Sequence, residues 1–251
     1  MKKLIKVIET EAYKSNLRKS DFFKIMIEMN YQFINVGSIQ NKYKEYSKSF
    51  NKFTEAYLTQ VMTNPFSDVL GKVSAELSVL DSGSKSKLCQ HFTPDYISSA
   101  VSRMLNFENE NELLTISDIC VGSGSLILGS LENHIKLNSN KAVSLILNDL
   151  DELMCKVCQI QIHYNNFLHV QDKFKLDYII YNHDALLEYT HFASGITEQT
   201  KIVGSHNPRF ITNEVIKERI EYLDREAALN ALKSMFVQST QKAAQEDLWT
   251  M

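Results

Sequence analysis

The stretch Asp118-Ile119-Cys120-Val121-Gly122-Ser123-Gly124-Ser125 constrains the fold of this chain more than any other. Ahead of it lies Leu113-Leu114-Thr115-Ile116, apolar and β-branched, the pattern of a buried strand. Behind it, Leu126, Ile127, Leu128, Leu131 and Ile135 fall on one face of a helix. Gly122 and Gly124 let the backbone turn sharply and approach a ligand where a Cβ would clash. The first turn of the helix then offers unpaired N–H groups to polar ligand atoms. A strand, a glycine turn and a helix in this order form a phosphate- or nucleoside-cradling unit of α/β folds.

The neighbours of the turn narrow the ligand. A dinucleotide fingerprint needs a third glycine, and Ile127 occupies that position. A phosphate loop needs lysine and then serine or threonine after its last glycine, and no lysine follows Gly124. What remains is an acid, Asp118, at the strand end, followed by two glycines. That pattern suits a ligand with an amine and a ribose but no phosphates, such as S-adenosylmethionine.

Downstream the strand-and-helix alternation continues. Ala142-Val143-Ser144-Leu145-Ile146-Leu147 reads as a second buried strand ending in Asn148-Asp149-Leu150-Asp151. A carboxylate here accepts two ribose hydroxyls in α/β nucleoside sites, which assigns Asp149 to the ligand. Asp151 precedes Leu153, Met154, Val157 and Ile160 and is placed to cap their helix. Leu176-Asp177-Tyr178-Ile179-Ile180-Tyr181 reads as a third strand, ending in Asn182-His183-Asp184. Residues 200–204 form a short candidate fourth strand leading to His206-Asn207-Pro208-Arg209-Phe210. The alternation predicts a parallel, doubly wound sheet.

Upstream, residues 1–85 read as helical with no catalytic signature. Asp21 is placed to cap a helix carrying Phe22, Phe23, Ile25, Met26, Ile27 and Met29. Tyr43, Tyr46, Phe50, Phe53, Tyr57 and Val61 recur at helical spacing, a stripe read as packed core rather than as a base-stacking platform. Asn64-Pro65 breaks this helix, and Phe66, Val69, Leu70, Val73, Leu77 and Leu80 resume one. Residues 81–87 are polar and read as a linker. In Gln90-His91-Phe92-Thr93-Pro94, Thr93 reads as an N-cap and Pro94 as the first helical residue, with Phe92 set against an apolar part of the ligand.

Composition excludes several classes. The chain has 251 residues, 44% of them apolar and 23% charged, as expected of a globular protein. Its net charge of −3 gives no global field for nucleic acid, so DNA binding would need a local patch or a partner subunit. The four cysteines, Cys89, Cys120, Cys155 and Cys158, are too few for a disulfide framework. Cys155 and Cys158 lack a second ligand pair and read as buried structural thiols, so no metal is expected. Glu9 and Glu11 interrupt any signal-peptide core, and no run reaches the length of a membrane span. The expected compartment is a reducing cytoplasm, away from any membrane.

The order of these signals resembles the N6-adenine DNA methyltransferases, chiefly the modification subunits of type I restriction systems and their phage- and plasmid-borne relatives. Gln90-His91-Phe92-Thr93-Pro94 is similar to their Gln-Phe-Phe-Thr-Pro. Residues 118–124 resemble Asp-Pro-Ala-Cys-Gly-Ser-Gly, with Ile119, Cys120 and Val121 departing from it. Asn148-Asp149-Leu150-Asp151 resembles the acidic second motif. His183-Asp184-Ala185-Leu186 resembles Gly-Asp-Ser-Leu, and Asp68-Val69-Leu70-Gly71 resembles a short Asp-x-Leu-Gly element. The resemblance covers residues 65–190 and implies a Rossmann-like class I S-adenosylmethionine-dependent methyltransferase core. It places Phe92, Thr93, Pro94, Asp118, Gly122, Gly124, Asp149 and Asp184 on the cofactor, with Asp184 at its adenine amine.

The family also uses an Asn-Pro-Pro-Phe/Tyr tetrapeptide to receive a flipped adenine. Asn207-Pro208-Arg209-Phe210 matches its order, with Arg209 in place of the second proline. Asn64-Pro65-Phe66 lies before the glycine turn and is a worse match. The implied catalytic set is therefore Asn207, Pro208 and Phe210. The expected organisation is a helical region over 1–85, a cofactor-binding core over 86–212 and helices over 213–251. Two functions follow from the resemblance. One is adenine-N6 methylation of DNA, with a specificity subunit or second methyltransferase subunit as a partner. The other is a catalytically inactive relative that binds the cofactor and serves as a regulatory or anti-restriction module.

Overall fold

A computed structural model describes residues 1–77, 93–105, 113–185 and 201–206. Met1–Asn182 and Lys201–Asn207 form one compact unit, so the amino-terminal helices and the sheet belong together. His183–Thr200 and Pro208–Met251 form a second, of which His183, Asp184 and Ala185 are described. The helices expected over 213–251 and the linker expected over 81–87 lie outside the described residues.

The helices α1 (Lys2–Lys14), α2 (Lys19–Val36), α3 (Ser47–Thr63) and α4 (Val69–Glu76) form an amino-terminal layer. Their core is Phe22, Phe23, Met26, Ile27, Phe53, Tyr57 and Leu70, all fully buried. The aromatic stripe is core from Phe50 to Val61, while Tyr43 and Tyr46 are partly buried against it in a 3-10 turn, Asn41–Tyr46, that precedes α3. α3 ends at Thr63, where Asn64-Pro65 stops it. Asp21 lies inside the first turn of α2 rather than at its cap, which is Arg18, and bonds Arg18 Nε at 2.7 Å.

After α5 (Asp95–Met104) come β1 (Leu113–Asp118), α6 (Ser125–Lys136), β2 (Ala142–Asp149), α7 (Glu152–Asn165), β3 (Leu176–Asn182) and β4 (Lys201–His206). β1, β2 and β3 are parallel neighbours, with α6 and α7 as crossovers, which makes the core α/β and Rossmann-like. The sheet order is β1-β2-β3-β4. The parallel arrangement expected from the strand-and-helix alternation holds for β1–β3, and β4 pairs antiparallel with β3, Asn182 opposite Lys201 and Tyr178 opposite His206. Its end therefore leaves the sheet at the amino-terminal ends of β1–β3. A lone strand carries no sign of its direction, because the alternation of its side chains is the same either way.

α7 lies between two cores. Met154, Val157, Ile160 and Tyr164 face the helical layer. Cys155, Cys158 and Ile162 face the sheet, against Leu145, Leu147, Tyr178 and Ile180. Cys155 and Cys158 are buried free thiols, as their spacing suggested.

In α1, the Glu11 carboxylate joins α1 to α3. It accepts bonds from Lys14 Nζ at 2.8 Å, Lys52 Nζ at 2.9 Å and Ser49 Oγ at 2.8 Å. The lysine donors, Lys14 first, hold its carboxyl down from 4.5 to about 2. A depressed carboxyl contributes stability in full above its unfolded value and loses it as pH falls toward its folded value. Glu11→Gln should lower stability by about 1–2 kcal/mol at neutral pH. The deficit should shrink as urea unfolding is repeated from pH 5 down to pH 2. A deficit that stays constant over that range would remove the carboxylate as its cause.

Candidate functional site

The carboxyl ends of β1, β2 and β3 bring together the residues singled out from the sequence around the glycine turn. The turn needs both of its glycines, for different reasons. Gly122 has φ +55° and Gly124 φ +92°, a left-handed region that residues with a Cβ enter at a cost. A Cβ on Gly122 would meet nothing within 4 Å, so this side of the turn is open. A Cβ on Gly124 would lie 2.9 Å from Cys158 Sγ, so here the turn rests on α7. Gly124 is also the N-cap of α6, and its carbonyl accepts Leu128 N–H at 2.9 Å.

Asp149 secures the turn from the neighbouring strand. Its Oδ2 accepts Gly122 N–H at 2.7 Å, and its Oδ1 accepts Asp151 N–H at 2.8 Å. Asn148 adds a main-chain bond, its carbonyl accepting Val121 N–H at 2.9 Å. Asp151 caps α7 as expected, accepting Leu153 N–H at 2.8 Å. Asp118 closes β1 and accepts Cys120 N–H at 3.0 Å. Among the described residues, neither Asp118 nor Asp149 is in an ion pair with a lysine or arginine.

Burial dominates the electrostatics. It pushes the Asp149 carboxyl up, more than the amides of Asp151 and Gly122 pull it down, and the charges of Asp151 and Asp118 add to the rise. Burial likewise raises Asp118, against the single amide of Cys120. The exposed Cys120 thiol is raised by its partial burial and by both carboxylates. Two partly desolvated acids at adjacent strand ends favour a ligand that brings positive charge or hydroxyl donors.

The segment before α5 reaches the same turn. Ser125 Oγ donates to Thr93 O at 2.9 Å, and Ser98 Oγ donates to Ser125 O at 2.8 Å. The cap differs from expectation. Pro94 occupies the N-cap position at φ −62°, ψ 146°, with no side-chain cap bond, and the helix starts at Asp95. The Pro94 carbonyl closes the first turn by accepting Ile97 N–H at 2.9 Å. Phe92 lies outside the described residues. Asp184 follows β3 by two residues in the chain and falls in the second unit. Asn207, Pro208 and Phe210 lie outside the described residues.

Three side chains that sequence reasoning did not assign surround the turn from below. Asp68, Ser123 and Gln161 are buried and bonded to one another. A cleft of about 690 Å³ opens elsewhere, between α2 and the start of α7, walled by Lys24, Glu28, Lys42, Leu150, Asp151 and Lys156. None of these is a residue of the glycine turn. No cluster of histidine, cysteine and acidic side chains among the described residues could hold a metal ion, and no described helix is long and apolar enough to cross a membrane.

The two glycines should separate on substitution. Gly122→Ala should cost about 1–2 kcal/mol from backbone strain alone. Gly124→Ala should cost more, and adding Cys158→Ala should recover part of the loss, because the second change opens space for the new Cβ. Urea unfolding of the two single variants and the double variant gives the coupling. Strict additivity would mean that Cys158 does not set the limit at Gly124.

Comparison with known proteins gives a family match. The sequence profile described as N-6 DNA methylase matches residues 67–245, well over half of the chain. No curated protein matches. Among solved structures, a Listeria monocytogenes protein assigned to the class I S-adenosylmethionine-dependent methyltransferases is similar at 17% identity, with a TM-score of 0.42. The similarity covers 70% of this chain and 51% of that one, so the chain spans about half the length of this neighbour.

Proposed function

Because the chain belongs to the N-6 DNA methylase family, we propose that it binds S-adenosylmethionine at the glycine turn and methylates adenine N6 in DNA. The observation that carries the cofactor half is the pair of carboxylates, Asp118 and Asp149. They flank an open turn of left-handed glycines, and no lysine or arginine among the described residues forms an ion pair with them. That environment fits the group, which carries an ammonium, a sulfonium and ribose hydroxyls but no phosphate. When bound, S-adenosylmethionine supplies an electrophilic methyl group. Asp149 would accept the ribose hydroxyls while its bonds to Gly122 and Asp151 hold its orientation. Asp118 would take the cationic amino-acid part. Gly122 gives close backbone approach on its open side. Thr93 and Pro94, tied to the turn through Ser125, would border the cofactor, with Phe92 beside them. Asp184 would accept from the adenine amine of the cofactor.

For the base, Asn207 and the Pro208 carbonyl would accept from the exocyclic amine, and Phe210 would stack on the ring. Asparagine suits this role because it accepts while staying neutral. The net charge of −3 gives no general attraction to DNA, so a specificity subunit or second methyltransferase subunit would contribute contacts. A second reading is favoured by one observation, the antiparallel placement of β4. It is a non-catalytic relative that retains cofactor binding and acts as a regulatory or anti-restriction module.

Calorimetric titration with S-adenosylmethionine should give measurable heat, and Asp149→Asn should weaken binding by about 1.5–3 kcal/mol. Binding needs the ionised carboxylate. Since burial raises the Asp149 carboxyl above its usual 3.8, affinity should fall on acidification at a pH where an ordinary aspartate is still charged. No heat from the folded wild type would remove the cofactor reading. Transfer of labelled methyl to mixed-sequence DNA, abolished by Asn207→Ala, would separate the enzyme from the binding module. Binding without transfer would favour the second reading.

A further inference from the structure

Beneath the glycine turn lies a buried polar knot that the proposed chemistry leaves unused. Asp68 is 1% exposed. Its Oδ1 accepts Gly71 N–H at 2.9 Å and Gln161 Nε2 at 2.8 Å, and its Oδ2 accepts Ser123 Oγ at 2.6 Å. The same Gln161 Nε2 donates to Ser123 O at 2.8 Å, and Gln161 Oε1 accepts Leu70 N–H at 3.0 Å. Gly71 has no room for a side chain. A Cβ there would come within 2.5 Å of both Asp68 carboxylate oxygens and Ser123 Oγ. Ser123 is the residue between the two left-handed glycines, and both its hydroxyl and its carbonyl end in this knot.

A carboxylate this deep is costly unless it is fully bonded. The side chain of Lys72 on α4 is engaged with Ser67 and Asp95 rather than with Asp68. Neutral donors from three separate elements satisfy Asp68 instead. A one-turn cap for α4 would need only the Gly71 bond. Gln161 also takes up the Leu70 N–H in the first turn of α4, but the bond to Ser123 serves no helix end. The bonds to Ser123 fix the peptide on which the open face of the turn depends.

We propose that Asp68 is a positioning residue for the cofactor turn: through Ser123 and Gln161 it holds Gly122 and Gly124 in their left-handed geometry, which makes α4 part of the binding site. The proposal rests on the reading that this turn binds S-adenosylmethionine. It assigns Asp68 no contact with the ligand.

The test uses Asp68→Ala, Asp68→Asn, Ser123→Ala and the Asp68→Ala/Ser123→Ala pair in the full chain. Two readouts are followed, together with urea stability. One is the affinity for S-adenosylmethionine by calorimetry. The other is amide hydrogen exchange of residues 118–126 without ligand. Ser123→Ala leaves α4 and its cap intact, so it reports even where Asp68→Ala unfolds the chain. Ser123→Ala and Asp68→Ala should each weaken binding by about tenfold. The pair should lose little more than Asp68→Ala alone, since that variant already lacks the contact to Ser123. Asp68→Asn keeps an acceptor for Gly71 and Gln161 and should fall between Asp68→Ala and wild type. Exchange over 118–126 should accelerate in the same order. Wild-type affinity and exchange in Ser123→Ala would overturn the proposal, as would strictly additive losses in the pair. If wild type itself gives no heat, the cofactor reading fails, and the exchange series alone decides whether Asp68 holds the turn.

Discussion

Helix α7 is buried along most of its length between two apolar layers, and much of the rest of the structure follows from that. A helix between two apolar layers has little wet face on which to put polar residues. Yet α7 carries Gln159, Gln161 and Asn165, each at most 1% exposed. Each therefore needs partners, because an unbonded buried amide costs about 1–3 kcal/mol. Gln159 is paired with Asn35 of α2, Asn165 accepts Phe66 N–H, and Gln161 bonds both α4 and the glycine turn. The polar side chains of one helix thus set how the amino-terminal layer meets the part of the sheet that carries the glycine turn. Lys156, at a more exposed position of α7, adds ion pairs to Glu28 of α2 and to Glu152.

This explains which parts of the molecule were legible. The strand, turn and helix around Gly122 and Gly124 carry short-range patterns that survive folding unchanged. So do the Asp151 cap and the burial of Cys155 and Cys158. The direction of β4 was not legible, since pairing with β3 is a long-range choice that leaves the local alternation as it is. The break between the 3-10 turn and α3 was hidden because both keep the aromatic residues at compatible spacing. The burial of Gln161 was not legible, because a polar residue on a helix is ordinarily an exposed one. The link from Asp68 to Ser123 spans 55 positions, and no sequence pattern connects them. Its only trace was the Asp-x-Leu-Gly resemblance, which suggested kinship but no physical role.

The site also shows how one fold separates two uses of aspartate. Asp68 is enclosed and bonded only by neutral groups of the protein, which makes it a fixed strut. Asp149 is nearly as deep but sits at a strand end, with its two oxygens holding backbone amides. It keeps lone pairs for hydroxyl donors while those amides limit its motion, so less ordering remains to be done when a ligand arrives. Both acids are raised by burial, and the difference between them lies in what can reach them.

Cys120 follows from the same arrangement. It is an exposed thiol at the edge of the glycine turn, a position that would ordinarily invite oxidation. Its neighbours are anionic, and its thiol is raised by partial burial and by Asp149 and Asp118. The thiolate is the form that reacts with oxidants and alkylating agents, and here it is suppressed. The acids beside the turn therefore also make this thiol less reactive, without a disulfide partner. That protection is conditional. A bound cation would offset part of the negative potential at Cys120, so the reactivity of this thiol would register whether the turn is filled.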